Sequence, residues 1–261
     1  MNSIKEIYKL KYLALTLFWL GLGSRYRNSL IGIAWSLLNP LLQSLILFFV
    51  FNSLFRISFA NNLDYFAYVY SGTIVLQLFS NCILQGSEQI FANSTVLKTL
   101  KLPISLFVLV NLFINWVNAL LSFVPLLLYL LLSGASIDFA LLYVPLTLLS
   151  LITFSLPFSL ILTIAVTKFR DIRYFLPLVI QLIFYLSPVF YTFDGISSKV
   201  VNVLQLNPLT YYLNATRYSA LGDSFEINFS QLLMLSTTCL VMTLLIIPKI
   251  EGLKGKLVFL T

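Results

Sequence analysis

Six long runs without a charged residue fill most of this 261-residue chain, and they limit its possible folds more than any other feature. The runs cover residues 28–55, 65–87, 102–137, 139–167, 174–193 and 227–248. Each reaches or exceeds the roughly 20 residues that an α-helix needs to cross about 30 Å of hydrocarbon. The sequence therefore predicts an all-α polytopic membrane protein with six transmembrane helices in a single domain over residues 1–261.

The positive charges indicate how these helices are oriented. If the N-terminus is cytoplasmic, six crossings return the C-terminus to the cytoplasm, and 13 of the 16 Lys and Arg residues then lie inside. These inner residues are Lys5, Lys9, Lys11, Arg25, Arg27, Lys98, Lys101, Lys168, Arg170, Arg173, Lys249, Lys254 and Lys256. Arg56, Lys199 and Arg217 lie outside. Because short loops rich in Lys and Arg stay in the cytoplasm, we predict that both termini are cytoplasmic.

The predicted spans cover approximately residues 31–55, 66–86, 103–132, 140–167, 174–191 and 229–248. Between the last two, the segment 192–228 is too long for a simple turn. It contains two apolar pieces, each too short to cross a membrane, on either side of Asn207-Pro208. These pieces are either short re-entrant helices in the outer half of the membrane, where the backbone must be bonded within the protein, or parts of an ordinary helical surface loop.

Residues 3–20 precede the first span and carry apolar side chains at helical spacing, with Lys5, Glu6 and Lys9 on the other side. One interpretation is an amphipathic helix that lies in the cytoplasmic interface. The other is a signal peptide, because basic residues, an apolar stretch and Gly-Leu-Gly-Ser follow one another. Cleavage there would leave Arg25 and Arg27 at an external N-terminus, against the charge bias, so we favour the interfacial helix.

The composition excludes several classes of protein. With 59% hydrophobic and 10% charged residues, the chain has no room for a separate soluble domain, and its net charge of +7 indicates topology and attraction to anionic lipid, not to nucleic acid. Cys82 and Cys239 both lie in predicted spans, so a disulfide framework is not expected. The sequence contains no metal-ligand cluster and no catalytic triad, so we predict neither a cofactor nor an enzyme.

The sequence also limits how transport through this chain could be driven. It contains no histidine, and no Asp, Glu or Lys lies deep in a predicted span, so the ionisable relay of a proton-coupled carrier is missing. It also lacks a Gly-x-x-x-x-Gly-Lys-Ser/Thr loop, which would cradle the phosphates of ATP. If transport is driven, its energy must therefore come from another subunit.

Polar side chains recur at helical spacing inside several spans. The stripes are Trp35, Asn39 and Gln43; Gln77, Asn81 and Gln85; Asn111, Asn115 and Asn118; and Gln181 and Tyr185, with Phe184, Ser187 and Tyr191 close by. Amides in lipid turn toward protein or water, so each stripe either bonds neighbouring helices or lines a path. Amides and aromatic rings together suit sugars. We predict that Trp35, Asn39 and Gln43 face the span-five residues Gln181, Phe184, Tyr185 and Tyr191 across such a path.

Three motifs resemble those of a known family. The segment RYRNSLIGIAWSLLNPLL, residues 25–42, has an Arg-rich start followed by a Gly, a Trp, a Leu and a Pro at Gly32, Trp35, Leu38 and Pro40. The segment FRDIRYFLPLVIQLIFYLSPVFY, residues 169–191, carries Arg170-Asp171, Gln181, Ser187-Pro188 and Tyr191, and Asn207-Pro208-Leu209 follows later. In these motifs, in length and in span number, the whole chain resembles ABC-2 type permeases of the polysaccharide-export branch.

The resemblance implies a homodimer of this subunit with two cytoplasmic ABC ATPase subunits, which bind ATP and Mg. Such an assembly moves lipid-linked polysaccharide, for example O-antigen, capsule or teichoic acid, outward across the bacterial inner membrane. It further implies that residues 3–20 form an interfacial helix and that 192–228 is re-entrant at the outer mouth. The cytoplasmic segment 87–102 docks on the ATPase in this interpretation. The predicted interface residues are Asn93, Lys98, Lys101, Arg170 and Asp171.

Three other functions stay open at this point. The chain could belong to an ABC-2 exporter of drugs or lipids, to a carrier that ATP does not drive, or to a membrane protein with a structural role. An ATPase gene beside glycosyltransferase genes would favour polysaccharide export, whereas neighbouring resistance genes would favour drug export.

Overall fold

The computed structural model describes residues 10–26, 32, 34–55, 62–100, 102–134, 139–193, 197–222 and 228–259, and these residues contain helices and no strand. The helices are α1 (Lys11–Tyr26), α2 (Ala34–Phe55), α3 (Asn62–Ser87), α4 (Gln89–Ala92), α5 (Ser94–Thr99), α6 (Ile104–Ser122), α7 (Val124–Leu132), a 3-10 turn (Phe139–Leu142), α8 (Tyr143–Lys168), α9 (Ile172–Leu186), α10 (Ser198–Gln205), α11 (Pro208–Leu221) and α12 (Phe229–Phe259). The prediction of an all-α fold is confirmed for the part of the chain described.

Five helical stretches are long and apolar enough to cross a membrane, judged by length and composition among the described residues. They are Ala34–Asn52, Tyr65–Ser87, Ile104–Leu132, Phe139–Lys168 and Phe229–Phe259. The remaining predicted span, 174–191, corresponds to the shorter apolar helix α9. The helix stops at Leu186 because Ser187 precedes a proline, and a residue before proline avoids the α region. The multi-pass prediction is confirmed, whereas six crossings with cytoplasmic termini stay a prediction.

Several helix bounds differ from the predicted spans. The third span is divided into α6 and α7 at Phe123, just before Pro125. The last helix does not end near 248 but continues through Pro248 to Phe259, so it includes the basic residues Lys249, Lys254 and Lys256. Helix α1 extends six residues past the predicted end at 20, and residues 1–9 lie outside the described part.

Helix α3 is the central element of the bundle. It packs against α2, α6, α8 and α11, and 78% of its span is buried inside the chain. By contrast, only 11% of the α2 span and 22% of the α12 span are buried. The outer helices therefore present most of their apolar surface to lipid or to another protein.

Small residues bring α3 and α8 close together. A Cβ atom added at Gly86 would lie 3.0 Å from both Cβ and Oγ of Ser159, so no side chain fits at this contact without a shift. The Ser159 hydroxyl lies 2.9 Å from the carbonyl oxygen of Cys82, and the Thr163 hydroxyl lies 3.1 Å from that of Gly86. Interhelical contacts of this kind allow van der Waals packing and hydrogen bonding inside a membrane.

The end of the last helix docks on the start of α6. The Glu251 carboxylate accepts hydrogen bonds from the backbone N–H groups of Ile104 (3.2 Å) and Ser105 (2.9 Å) and from the Ser105 hydroxyl (2.7 Å). The first N–H groups of a helix lack intrahelical partners and carry a partial positive charge, so a carboxylate stabilises them. This contact fixes α12 to the start of α6, and α12 also packs against the short helix α5.

We expect Gly86→Ala to destabilise the protein, because the new methyl group forces α3 away from Ser159. Overpacking of this kind typically costs about 1–3 kcal/mol. Gly252→Ala is the matched control, since a Cβ there meets no atom within 4 Å. It should leave stability unchanged or raise it by up to about 1 kcal/mol through helix propensity. Thermal unfolding in detergent measures both, and equal unfolding temperatures for the two variants would contradict the close contact.

Candidate functional site

Amide side chains from three helices line a partly open cavity of about 250 Å³ between α1, α2, α3 and α6, here called the amide cavity. The lining amides come from α2, α3 and α6, and Trp35 and Arg25 complete the wall. They are Asn39, Gln77, Asn81, Gln85, Asn115 and Asn118. Three of the four stripes predicted from sequence therefore contribute side chains to one space.

Local backbone features place the α2 part of this wall. Gly32 has φ of +53°, in the left-handed region that favours glycine, and its carbonyl oxygen accepts a bond from the N–H of Trp35 at the start of α2. Pro40 lacks an N–H, which leaves the carbonyl of Ser36 without its helical donor. The Ser122 hydroxyl of α6 lies 2.8 Å from that carbonyl oxygen. The proline thus creates an acceptor that ties α2 to α6 beside the cavity.

A second cavity of about 400 Å³, here called the lateral groove, lies between α2, α3 and α9. Gln43, Gln181, Phe184 and Tyr185 line it, together with polar residues of α3. Gln77 and Asn81 line both the amide cavity and the lateral groove. The two spaces are therefore adjacent, with the α3 stripe between them.

The structure separates the predicted path residues into three groups. Trp35 and Asn39 line the amide cavity. The residues of the lateral groove are Gln43, Gln181, Phe184 and Tyr185. Tyr191 lines neither space, because it follows the end of α9, where its phenol lies 3.4 Å from the carbonyl oxygen of Tyr185. Sequence reasoning left Gln77 and Asn81 out of the predicted path, although their i, i+4 spacing marked them as one face.

Residues 187–191, here called the strap, leave the helical conformation after α9 and are mostly buried. Side chains satisfy the carbonyl groups of this segment. The Tyr65 phenol donates to the carbonyl of Phe190 (2.7 Å), and the Tyr68 phenol lies 2.8 Å from that of Tyr191. Buried backbone groups without partners are costly, so these phenols make a non-helical segment possible here.

Arg217 of α11 is the central partner of the strap and is only 1% exposed. Its Nη2 donates to the carbonyl oxygens of Pro188 (2.6 Å) and Val189 (3.2 Å), and its guanidinium lies 3.5 Å from the ring centroid of Tyr68. A Cβ at Gly72 would lie 3.0 Å from Nη2, so glycine leaves the space that this side chain occupies. The charge pattern assigns Arg217 to the outer side, within segment 192–228; the structure buries its side chain inside the bundle.

The motif Asn207-Pro208-Leu209 starts α11 and connects it to the strap. The Asn207 side chain accepts a bond from the N–H of Leu209 (3.0 Å) and donates to the hydroxyl of Ser187 (2.8 Å). Pro208 stands at the first helical position, where its missing N–H costs nothing. Phe190 of the strap stacks on Phe51 of α2, with ring centroids 4.4 Å apart, next to the lateral groove.

Four of the predicted interface residues lie in the described part of the chain, at the other ends of these helices. Lys98 is exposed on α5, and Asp171 is exposed at the start of α9. Asn93 donates to Gln89, and Arg170 lies over the ring of Phe91, 5.9 Å from its centroid. Lys101 lies outside the described residues.

The arrangement suits reversible binding of neutral polar molecules. Amide groups donate and accept hydrogen bonds, and aromatic rings stack on the CH faces of sugars. Within the described residues, no three His, Cys, Asp or Glu side chains come together as a metal site would require.

We expect Tyr65→Phe to lower stability, because the carbonyl of Phe190 loses the donor that the phenol supplies. An unsatisfied buried acceptor costs about 1–3 kcal/mol. Tyr174→Phe makes the same chemical change at a side chain that is 75% exposed, and it should stay within about 0.5 kcal/mol of the wild type. Chemical or thermal unfolding of the purified protein compares them; equal effects would show that the strap does not depend on this bond.

Comparison with known proteins agrees with the motifs. The family model described as ABC-2 type transporter matches residues 12–221. An O-antigen export system permease protein RfbA of Klebsiella pneumoniae is 26% identical over 245 residues, which cover 92% of this chain and 93% of that protein. A Myxococcus xanthus protein of the same name is 27% identical over 224 residues, covering 85% and 84%. The resemblance inferred from sequence is therefore confirmed, and the chain belongs to the ABC-2 type transporter family as a membrane subunit of a transporter.

Proposed function

We propose that this protein is the permease subunit of an ATP-driven exporter that moves lipid-linked polysaccharide outward across the bacterial inner membrane. The observation that carries this proposal is the pair of adjacent cavities lined with amides and aromatic rings. Relatives named as O-antigen export permeases support the substrate class. The absence of an ATP-binding loop from the sequence supports a separate ATPase as the source of energy.

The lateral groove supports a homodimer. Gln43 and Tyr185 line a groove of a single chain, yet Tyr185 is 55% exposed and α2 buries little of its surface within the chain. A glycan that crosses a membrane needs a wall on all sides. We infer that a second copy faces the exposed sides of α2 and α9, so that two grooves enclose one path.

The short helices α4 and α5 are the proposed docking element for the ATPase. They connect the end of α3 to the start of α6, and Leu97 of α5 is buried while Lys98 is exposed. Glu251 of α12 is bonded to the start of α6, which follows α5 in the chain. In this proposal a displacement of α5 by the ATPase would therefore move both α6 and α12. In this proposal Lys98 and Lys101 form the rim of the contact, and Asn93, Arg170 and Asp171 belong to the same surface.

Reconstitution in vesicles tests the energy source. The permease and its ATPase should move lipid-linked glycan with ATP when an uncoupler has collapsed the proton gradient, because no ionisable relay lies in the predicted spans. An ATPase variant that cannot hydrolyse ATP should stop export. The docking surface has a separate test: Lys98→Glu in the permease should weaken copurification of the ATPase. Transport by the permease alone after an imposed pH step would replace this proposal with a secondary carrier, and ATP-driven export of a drug but not of glycan would replace the substrate.

A second prediction tests the path. Tyr185→Phe should preserve the export rate per folded protein, because the ring still stacks on sugar. Tyr185→Ala should lower it about two- to twelvefold, the effect of losing an aromatic contact of about 0.5–1.5 kcal/mol. Because Tyr185 is exposed, alanine there should barely change the unfolding temperature. If alanine instead lowers stability and spares export, Tyr185 is a packing residue.

A further inference from the structure

Arg25 stands at the junction of two cavities. It lines the amide cavity, and it also lines a cavity of about 300 Å³ between α1, α4 and α6, here called the N-terminal cavity. Gln89, Asn93 and Asn111 provide other polar groups of the N-terminal cavity. The three cavities thus follow one another through shared residues, from the N-terminal helix to the lateral groove. Among their described lining residues, Arg25 is the only charged side chain.

The Arg25 guanidinium spans the gap between α3 and α6. Its Nη1 donates to Oδ1 of Asn115 at 3.0 Å, and its Nη2 donates to Oε1 of Gln85. These two acceptors are neutral amide oxygens, and Arg25 makes a further contact within the chain. A hydrogen bond to an ionised acceptor is roughly twice as strong as one to a neutral acceptor, and a guanidinium matches the oxygens of a phosphate with two parallel bonds. A phosphate that reaches this junction therefore competes well with the two amides.

We propose that Arg25 is a phosphate-binding residue that receives the phosphate end of the exported lipid-linked glycan at the inner end of the path. The inference rests on the proposed function, because a glycan attached to lipid through phosphate is the ligand that carries this anion to the site. When the phosphate takes the guanidinium, Gln85 and Asn115 lose it as a partner. Their amide groups then face the amide cavity with free bonding capacity for the first sugar hydroxyls.

The test uses inorganic pyrophosphate as the probe and the fluorescence of Trp35, which lines the same cavity. The permease carries Trp19→Phe and Trp116→Phe, which leave Trp35 as its single tryptophan, and it is held in nanodiscs of neutral phospholipid. We expect a saturable change in fluorescence. Arg25→Gln should weaken binding at least about tenfold, the effect of losing a charge-assisted pair. Lys168→Gln, which removes an exposed cation elsewhere, should leave binding within about twofold.

Two changes at Gln85 separate an anion site from a merely structural bridge while they keep Arg25. Gln85→Leu removes a competing acceptor and should tighten pyrophosphate binding a few-fold, whereas Gln85→Glu supplies a competing carboxylate and should weaken it about tenfold. Equal binding by wild type, Arg25→Gln and Gln85→Glu would overturn the proposal. So would weaker binding in Gln85→Leu, because a structural bridge would lose function with either partner.

A further arm identifies the source of the phosphate. In nanodiscs that contain phosphatidylglycerol, pyrophosphate should bind with the same affinity as in neutral nanodiscs. Loss of pyrophosphate binding in the presence of phosphatidylglycerol would assign the site to membrane phospholipid and overturn the role of Arg25 in glycan binding. Export by the reconstituted wild type without Arg25-dependent pyrophosphate binding would refute the anion site alone. Pyrophosphate binding as expected in a permease that exports no glycan would refute the proposed function instead.

Discussion

The short distance between α3 and α8 decides where the other helices of the bundle can lie. Gly86 and Ser159 permit it, and α3 becomes so enclosed that 78% of its span is buried. A helix in that position packs against other elements on every side, so each of its faces needs side chains that fit a different neighbour. Its small residues face α8, its amides Gln77 and Asn81 face the cavities, and its tyrosines hold the strap. The position of one helix thus couples the packing of the bundle, the lining of the two cavities and the attachment of the strap.

The strap shows how a non-helical segment can be buried beside a membrane span. Each carbonyl from Pro188 to Tyr191 has a side-chain donor from α3 or α11, and Arg217 provides two of the bonds. Removing an arginine from water is expensive, and here carbonyl dipoles and the face of Tyr68 compensate part of that cost. Because the strap is held in this way, α9 ends at Leu186 and Phe190 packs against α2 next to the lateral groove.

Sequence patterns predicted the helices, whose length and apolar composition are set by the hydrocarbon of the membrane. They missed the features that depend on contacts between helices. Length and apolar composition identified the helices, because an unpaired backbone cannot cross lipid. The end of α9 at Leu186 could have been predicted from the Ser187-Pro188 pair alone, but the predicted span continued to residue 191. Arg217 was counted as an outer charge, although its spacing of four and eight residues from Leu213 and Leu209 put it on their buried face. The junction at Arg25 had no such signal, because it depends on contacts between α1, α3 and α6.

The neutral lining of the proposed path has a consequence for moving a long polymer. A net hydrogen bond between a sugar and an amide contributes about 0.5–1.5 kcal/mol, so a chain can leave one contact and form the next at little cost. A charged lining would hold counter-ions or an anionic sugar tightly and would slow each step. Gln43, Gln77 and Gln181 provide three weak and chemically equivalent binding positions, which would suit a repeating substrate. In the proposed function, a single strong contact at Arg25 belongs at the end of such a path, so that the lipid-linked end would bind once and the sugars would follow.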